Sequence, residues 1–192
     1  MSKSPFLLLL FLSAALVGCS KQETASGVDS EGNEGSSGRL NVCALLTSEE
    51  IQSVQGEPLK EAKANDKSGG GLVVSECYFA LPTTANSIIV TVTQKGHGPD
   101  ARDPKQFWDE AIQRQLERDR EKGRGEAGKK PPTLEKVEGV GDEALWVASP
   151  FGGMLHVLKG HLYIRITAGG TSDPKTNAPK ARKLAEYILK RL

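Results

Sequence analysis

Two strand-like runs decide the fold class of this 192-residue chain: Leu72-Val-Val-Ser-Glu-Cys-Tyr-Phe-Ala-Leu81 and Ser87-Ile-Ile-Val-Thr-Val-Thr93. In the second run, apolar side chains alternate with threonines at positions 91 and 93. Alternation with a period of two is typical of a strand that turns one face to a core and the other to solvent. The two runs, joined through residues 82–86, therefore predict a half-buried sheet.

Three helices are predicted around these strands. Thr47 and Glu50 have the spacing of a reciprocal capping box, so a short helix is expected from Ser48 to Gln55, ended by Gly56. A second helix should begin near Asp103-Pro104 and end at glycines 123, 125 and 128. Its core face is formed by Phe107, Trp108, Ala111, Ile112 and Leu116. The apolar stripe of the C-terminal helix, with basic Lys190 and Arg191 at its negative end, consists of Ala181, Leu184, Ala185, Ile188, Leu189 and Leu192.

Further short strands complete the predicted sheet. They are expected at 134–137, 143–148, 154–158 and 161–167, with a tight Lys159-Gly160 turn between the last two, and this spacing is typical of an antiparallel meander. A weaker strand at 57–64 precedes a glycine-rich segment, residues 67–71, that is expected to be a flexible loop. The sequence thus predicts an α+β domain with an antiparallel sheet, about three helices and the order α-β-β-β-α-β-β-β-β-α.

Residues 1–18 combine a basic start with an uncharged apolar run at 6–17. As a helix this run would span about 18 Å, well short of the roughly 30 Å hydrocarbon core, so a secretory signal is favoured over a membrane span. Leu16-Val17-Gly18-Cys19 resembles the bacterial lipobox, which implies cleavage before Cys19 and attachment of lipid to Cys19. The alternative is ordinary signal cleavage after Ser13-Ala14-Ala15, which would leave Cys19 as a free thiol.

Residues 19–40 have the composition of a flexible tether. Between Ser20 and Arg39, Val28 is the only sizeable apolar residue. Such a segment cannot bury enough surface to fold, and as a coil its root-mean-square reach is about 25 Å. We therefore expect the folded domain, residues 41–192, to be lipid-anchored to a membrane of the bacterial cell envelope, facing the periplasm or the exterior. In a host with two membranes, Ser20 is compatible with passage to the outer one.

The charge balance excludes several classes of protein. The chain has 25 Lys and Arg against 24 Asp and Glu, a formal charge of +1, and 38% hydrophobic residues. This composition excludes a polytopic membrane protein, a fibrous protein and a fully disordered chain, and it gives no electrostatic reason to expect a nucleic-acid partner.

The cysteines suggest a disulfide. Cys43 precedes the first helix and Cys77 lies in the first long strand. In an oxidising compartment they are expected to pair, closing a loop of about 35 residues and stabilising the fold by about 4 kcal/mol. The alternative is two buried thiols too far apart to bond. With Cys19 assigned to lipid, the odd count of three cysteines is explained, and there is no Cys-x-x-Cys pair to indicate a redox or metal role.

Several segments together resemble a broad group of bacterial lipoproteins and secreted domains of unknown function. They are Cys43-Ala-Leu-Leu-Thr-Ser-Glu-Glu-Ile51, Glu76-Cys77-Tyr78, Val140-Gly-Asp-Glu-Ala-Leu-Trp146 and the final Leu-Ala-x-x-Ile-Leu helix. The resemblance covers residues 41–192. It implies a helix-and-sheet domain of the cell envelope, and it brings no catalytic residues to this chain.

The histidines offer candidate chemistry. If Lys159-Gly160 is a two-residue turn, His156, His161, Tyr163 and Arg165 share one sheet face. The two histidines could then share a metal ion, but no acidic third ligand is evident nearby. An exposed polar sheet face is therefore favoured over a metal site.

Three other segments are explained better by structural roles than by binding sites. Gly123-Arg-Gly-Glu-Ala-Gly128-Lys129 matches the spacing of a phosphate-binding loop, but it leaves a helix and lacks the following Ser or Thr, so a nucleotide site is disfavoured. The mixed charges from Arg114 to Lys130 favour a solvated helix end over a lipid-headgroup or polyanion contact. Asp142 and Glu143 could bind a cation, yet adjacent carboxylates after glycines are typical of a turn.

These observations favour a non-enzymatic lipoprotein that binds an envelope protein, peptidoglycan or a small ligand. No cofactor is expected. One alternative is a small envelope hydrolase or metal-binding enzyme that uses His156 or His161. Another is a carrier of a small apolar ligand.

Overall fold

Within the described part of the chain, eight strands form one antiparallel sheet with helices against both faces. A computed structural model describes residues 38–125, 134–149, 152–171 and 173–192, all within one unit. The predicted signal peptide, Cys19 and most of the tether lie outside these residues. In chain order the elements are α1 (Ser48–Gln55), β1 (Glu61–Ala64), β2 (Lys67–Gly69), β3 (Leu72–Ala80), β4 (Ile88–Lys95), α2 (Pro104–Gly125), β5 (Leu134–Lys136), β6 (Glu143–Val147), β7 (Met154–Lys159), β8 (Leu162–Ala168) and α3 (Pro174–Leu189).

The sheet order confirms the predicted α+β architecture. The strands lie in the order β1-β3-β4-β8-β7-β6-β5, with β2 also pairing with β3. β5 to β8 form the predicted antiparallel meander. β8 then returns to pair with β4, which joins the two halves of the chain in one sheet.

The helix ends follow from local sequence. The side chain of Thr47 accepts a hydrogen bond from the amide of Glu50, and the Glu50 carboxylate accepts one from the amide of Thr47. This confirms the capping box, and Gly56 ends α1 in the left-handed conformation at φ 79°. α3 begins at Pro174 after the N-cap Asp173, whose carboxylate accepts from the Lys175 amide.

The main core lies between the sheet and the pair α1 and α3. From β4 it receives Ile88, Val90 and Val92, which are fully buried as their alternation predicts. From α3 it receives the predicted stripe, including Ala181, Leu184, Ala185 and Ile188. The assignment of Leu192 to that stripe is wrong, because Leu192 lies beyond the helix and is 38% exposed.

The prediction of a half-buried sheet is wrong where α2 covers the second face, although Ile89 on that face is 37% exposed. Thr91 and Thr93, on the face opposite the main core, are 3% and 0% exposed. On this second face α2 packs through Trp108 and Ile112 against Tyr163 of β8 and forms a small separate core. The amphipathic α2 needs an apolar surface to cover, and this face of the sheet provides it.

Two local predictions need correction. Residues 67–69 are not a loop but the short strand β2, which pairs with β3 from Lys67↔Val74 to Gly69↔Leu72. The turn between β7 and β8 is Gly160-His161 rather than Lys159-Gly160, because Lys159 pairs with Leu162. This register moves every partner along β8 by two residues, so that His156 lies opposite Arg165 and not Tyr163.

The disulfide is present as predicted. Cys43, in a 3-10 turn before α1, bonds to Cys77 of β3 with a Cα–Cα distance of 5.2 Å. Cys77 is fully buried in the main core. The bond therefore fixes the start of the domain to the centre of the sheet.

Candidate ligand-binding cleft

A row of polar residues crosses the second face of the sheet. The strand register places Glu76, Thr91, Arg165 and His156 side by side on β3, β4, β8 and β7. Along β8 the side chains of Tyr163 and Arg165 face α2, because the intervening residues are part of the main core. Polar side chains covered by a helix need hydrogen-bond partners. Within this row His156 and Glu76 have such partners, whereas the Nε of Arg165 has none.

His156 and Tyr163 satisfy one another. The His156 Nδ1 lies 2.6 Å from the Tyr163 hydroxyl, and the two rings stack at 22°. Burial, and secondly the positive charge of Arg165, lower the pKa of His156 from 6.5 to about 4. Burial raises the pKa of Tyr163 to about 12. Both side chains are thus neutral near pH 7. The neutral imidazole and the phenol each carry one donor hydrogen. One of these hydrogens forms the bond between the two side chains, and the other is left for another partner.

Arg165 is satisfied much less well. Its Nε atom is buried and has no hydrogen-bond partner. The guanidinium carbon lies 5.9 Å from the centre of the Tyr163 ring. Among the described residues no Asp or Glu lies within ion-pair distance of Arg165. Glu76, in the same row, instead accepts hydrogen bonds from Thr91 and Asn65. A half-buried guanidinium without a counter-charge is costly unless something else pairs with it.

Helix α2 brings two further arginines to this place. Arg114 and Arg118 are one helical turn apart, on the same stripe as Phe107. The Nη2 of Arg114 lies 3.7 Å from the Glu110 carboxylate, an exposed pair, while Arg118 donates to the side-chain carbonyl of Gln115 at 2.7 Å. Arg114 is therefore only loosely neutralised, and Arg118 has no acidic partner among the described side chains.

These groups line an open cleft of about 500 Å³ between α2 and the sheet, which we call the α2 cleft. Its size is typical of small-molecule sites. The described residues around it include no Asp or Glu; they are Phe107, Ala111, Arg114, Gln115, Arg118, Val147, Ser149, Gly153, Met154, His156, Tyr163, Arg165 and Thr167. The cleft thus combines three arginines with an apolar portion.

Comparison of the chain with models of protein families, with curated proteins and with solved structures finds no match. In the described ranges, no helix is both long and apolar enough to cross a membrane. In the same ranges, no three His, Cys, Asp or Glu side chains group as metal ligands.

The structure separates the two histidines singled out in the sequence. His156 lines the α2 cleft, whereas His161 is exposed in the turn after β7. The predicted shared face is wrong for His161, because the turn lies one residue later than the sequence suggested. The predicted exposure of that face is wrong as well, since Tyr163 is 1% exposed and His156 is half-buried.

The acidic and glycine-rich candidates have structural roles where they are described. The Asp142 carboxylate accepts from the Gly160 amide at 2.6 Å and pairs with Lys159 at 3.2 Å, which ties two turns together. These hydrogen bonds, first that from Gly160, lower the pKa of Asp142. Glu143 lies 3.6 Å from Lys105 of α2. Of the phosphate-loop match, residues 123–125 are in α2 and residues 126–129 lie outside the described ranges.

Arg114 and Arg118 are the residues whose role the sequence did not reveal. They are exposed, as a solvated helix end predicts, yet both line the cleft. The spacing 107, 111, 114, 118 on one helical stripe was a usable signal for a common face. Nothing in the sequence placed that stripe against β8.

Proposed function

We propose that this chain is a lipid-anchored protein of the bacterial cell envelope whose folded domain binds a small anionic ligand in the α2 cleft without transforming it. The observation that carries the proposal is Arg165, a half-buried arginine with an unpartnered Nε and no acidic neighbour within ion-pair distance among the described residues. Sites where a fold leaves a polar group unsatisfied are often functional. Arginine pairs best with oxyanions, through parallel N–H donors.

The protonation states of His156 and Tyr163 favour binding over catalysis. A general acid or base works best when its pKa is near the working pH. The pKa of His156 is lowered to about 4 and that of Tyr163 is raised to about 12. Near pH 7 the pair is a neutral hydrogen-bonding group, which suits recognition better than proton transfer.

The envelope location rests on the sequence. The apolar run at residues 6–17 and Leu16-Val17-Gly18-Cys19 support lipidation of Cys19. The Cys43–Cys77 bond is compatible with an oxidising compartment.

Metabolic labelling tests the anchor. Cells expressing the full chain are grown with labelled palmitate, and the Cys19→Ser chain is compared with the matched neighbour Ser20→Ala. We expect label in the unchanged chain and in Ser20→Ala, and none in Cys19→Ser. Unlabelled protein cleaved after Ala15 would contradict the anchor and support ordinary secretion.

Native mass spectrometry tests the binding site. The full chain, purified gently from envelopes, should carry a bound small molecule. Ala111→Phe, which fills the cleft, should lose that molecule, whereas Gln113→Phe on the exposed side of α2 should keep it. Equal occupancy in the two variants, with equal thermal stability, or recovery of only the bare chain in repeated preparations, would refute the proposal.

A further inference from the structure

We infer that the group bound in the α2 cleft is a phosphoryl dianion, held between Arg165 on the sheet and Arg118 on α2, with Arg114 beside them. This inference rests on the proposed function and names its ligand class. It concerns the charged group of the ligand, whether that group is free phosphate or part of a phosphate monoester such as a lipid headgroup.

The first argument is the number of uncompensated charges. Arg165 and Arg118 lack acidic partners among the described residues, and Arg114 shares only the exposed Glu110 at 3.7 Å. A monocarboxylate would neutralise one of these guanidinium groups and leave the other facing like charge. A phosphate monoester carries close to two negative charges near pH 7 and compensates both.

The second argument is the hydrogen-bonding character of the lining. Each guanidinium offers only donors, and the neutral His156–Tyr163 pair leaves one donor hydrogen unused. No described carboxylate lines the cleft to accept a hydrogen bond from a ligand. Donors that approach from two walls suit a group with acceptor oxygens on several sides, as a phosphoryl group has, better than a planar carboxylate.

The third argument is the placement of the charges. Arg165 lies on the floor of the cleft, on β8, while Arg114 and Arg118 project from the opposing wall on α2. An anion between them bridges the helix and the sheet. The volume of about 500 Å³ exceeds what a phosphoryl group alone fills, and Phe107 and Met154 offer apolar contact to whatever the group is attached to.

Isothermal titration tests the charge class. The full chain in non-ionic detergent and phosphate-free buffer is titrated with inorganic phosphate, with acetate, and with dihexanoyl phosphatidic acid. We expect phosphate or the short phosphatidic acid to bind at least roughly tenfold more tightly than acetate. Binding of both indicates that free phosphate suffices. Binding of the phosphatidic acid alone indicates a lipid headgroup.

Arginine variants connect that binding to the cleft. Arg165→Gln should lower, by roughly 10- to 100-fold, the affinity for the phosphoryl probe that binds more tightly, and Arg118→Gln should also lower it. Arg165→Lys keeps the charge but loses the planar guanidinium, so its affinity should lie between those of Arg165→Gln and the unchanged chain. Arg182→Gln, at an exposed ion pair on α3, is the matched control and should bind normally.

The outcomes also separate this inference from the proposed function. If acetate binds as tightly as the phosphoryl probes, or if Arg165→Gln binds phosphate normally, the phosphoryl assignment is wrong. If a non-phosphorylated molecule is nevertheless recovered and then lost in Ala111→Phe, the proposed binding function stands without the phosphoryl assignment. If Ala111→Phe changes no binding at all, both fail.

Discussion

Replacing Arg165 with methionine should make the domain more stable while destroying its binding site. The Arg165 side chain is half-buried, its Nε has no hydrogen-bond partner, and no described carboxylate lies within ion-pair distance of it. Methionine preserves much of the length and the apolar stem without the charge. The change therefore removes a cost and keeps most of the packing.

The size of the effect follows from two opposing contributions. Leaving a buried donor unpaired costs about 1 to 3 kcal/mol. Methionine loses the contact of the cation with the Tyr163 ring at 5.9 Å, a contribution of about 0.5 to 1 kcal/mol. The net expectation is that the free energy of unfolding rises by about 1 kcal/mol.

Urea unfolding of the full chain at pH 7, without added anions, measures this change. The matched control is Arg182→Met, whose side chain is 49% exposed and paired with Glu186; it should change the free energy of unfolding by less than about 0.5 kcal/mol. If Arg165→Met were less stable than the unchanged chain by 1 kcal/mol or more, Arg165 would be a structural residue. The interpretation of the α2 cleft as an anion-binding site would then be wrong.

Three further predictions concern the scaffold. Replacing Cys43 and Cys77 together by alanine should lower the free energy of unfolding by about 4 kcal/mol in urea titrations, since the bond closes a loop with a sequence separation of 34. The folded-state pKa of His156, about 4, lies below its ordinary value of 6.5, so the unfolded chain binds more protons than the folded chain between these pH values. The free energy of unfolding should therefore fall by up to roughly 3 kcal/mol as the pH drops from 6.5 to 4. His156→Gln should lose this part of the pH dependence. Gly153→Ala should lower the free energy of unfolding by more than about 2 kcal/mol, because φ is 121° there and the new Cβ would lie 2.5 Å from an indole carbon of Trp146. Gly160→Ala, at φ 55° with open space around it, should lower it by about 1 kcal/mol.

Each of these has a contradicting result. An unchanged urea midpoint in the double cysteine variant would show that the bond adds nothing to stability. Equal pH slopes for the unchanged chain and His156→Gln would show that the histidine is not held neutral by the fold. A Gly153→Ala variant as stable as Gly160→Ala would show that the close approach of the β6–β7 connection to the sheet is not required.

Local chemistry accounts for what the sequence predicted well. The capping box of Thr47 and Glu50, the left-handed Gly56 and the alternation of Ile88, Val90 and Val92 are each set by neighbours in sequence. Such features keep their meaning in any fold that uses the segment. The predicted helices and most strand positions therefore survive in the structure.

Features decided by tertiary packing were not predicted. β2 has no apolar side chain and is a strand only because β3 offers it a free edge. The polarity of Thr91 and Thr93 predicts that they face solvent, but α2 packs on their face of the sheet. The turn after β7 contains one glycine that fits either of two registers, and positive φ at Gly160 does not choose between them.

The α2 cleft depends on the packing of α2 on the sheet and on the position of the turn between β7 and β8. Its floor comes from the register that places His156 opposite Arg165, and its wall comes from the docking of α2 over β8. The strand pattern predicts that His156, Tyr163 and Arg165 share one face of the sheet, but it carries no information on the packing of Arg114 and Arg118 against that face. Contact between distant segments is the information that a single sequence lacks.

The arginine Nε–Hε region of a ¹⁵N–¹H spectrum can observe the proposed pairing at the atom concerned. The signal of Arg165 is assigned by its loss in Arg165→Lys, and inorganic phosphate or dihexanoyl phosphatidic acid is then titrated into the full chain. We predict that the Arg165 signal shifts saturably, together with that of Arg118, while the signal of Arg182 stays in place. An Arg165 signal that does not move with either probe, or arginine signals that all drift equally, would contradict the assignment of the α2 cleft as a phosphoryl-binding site.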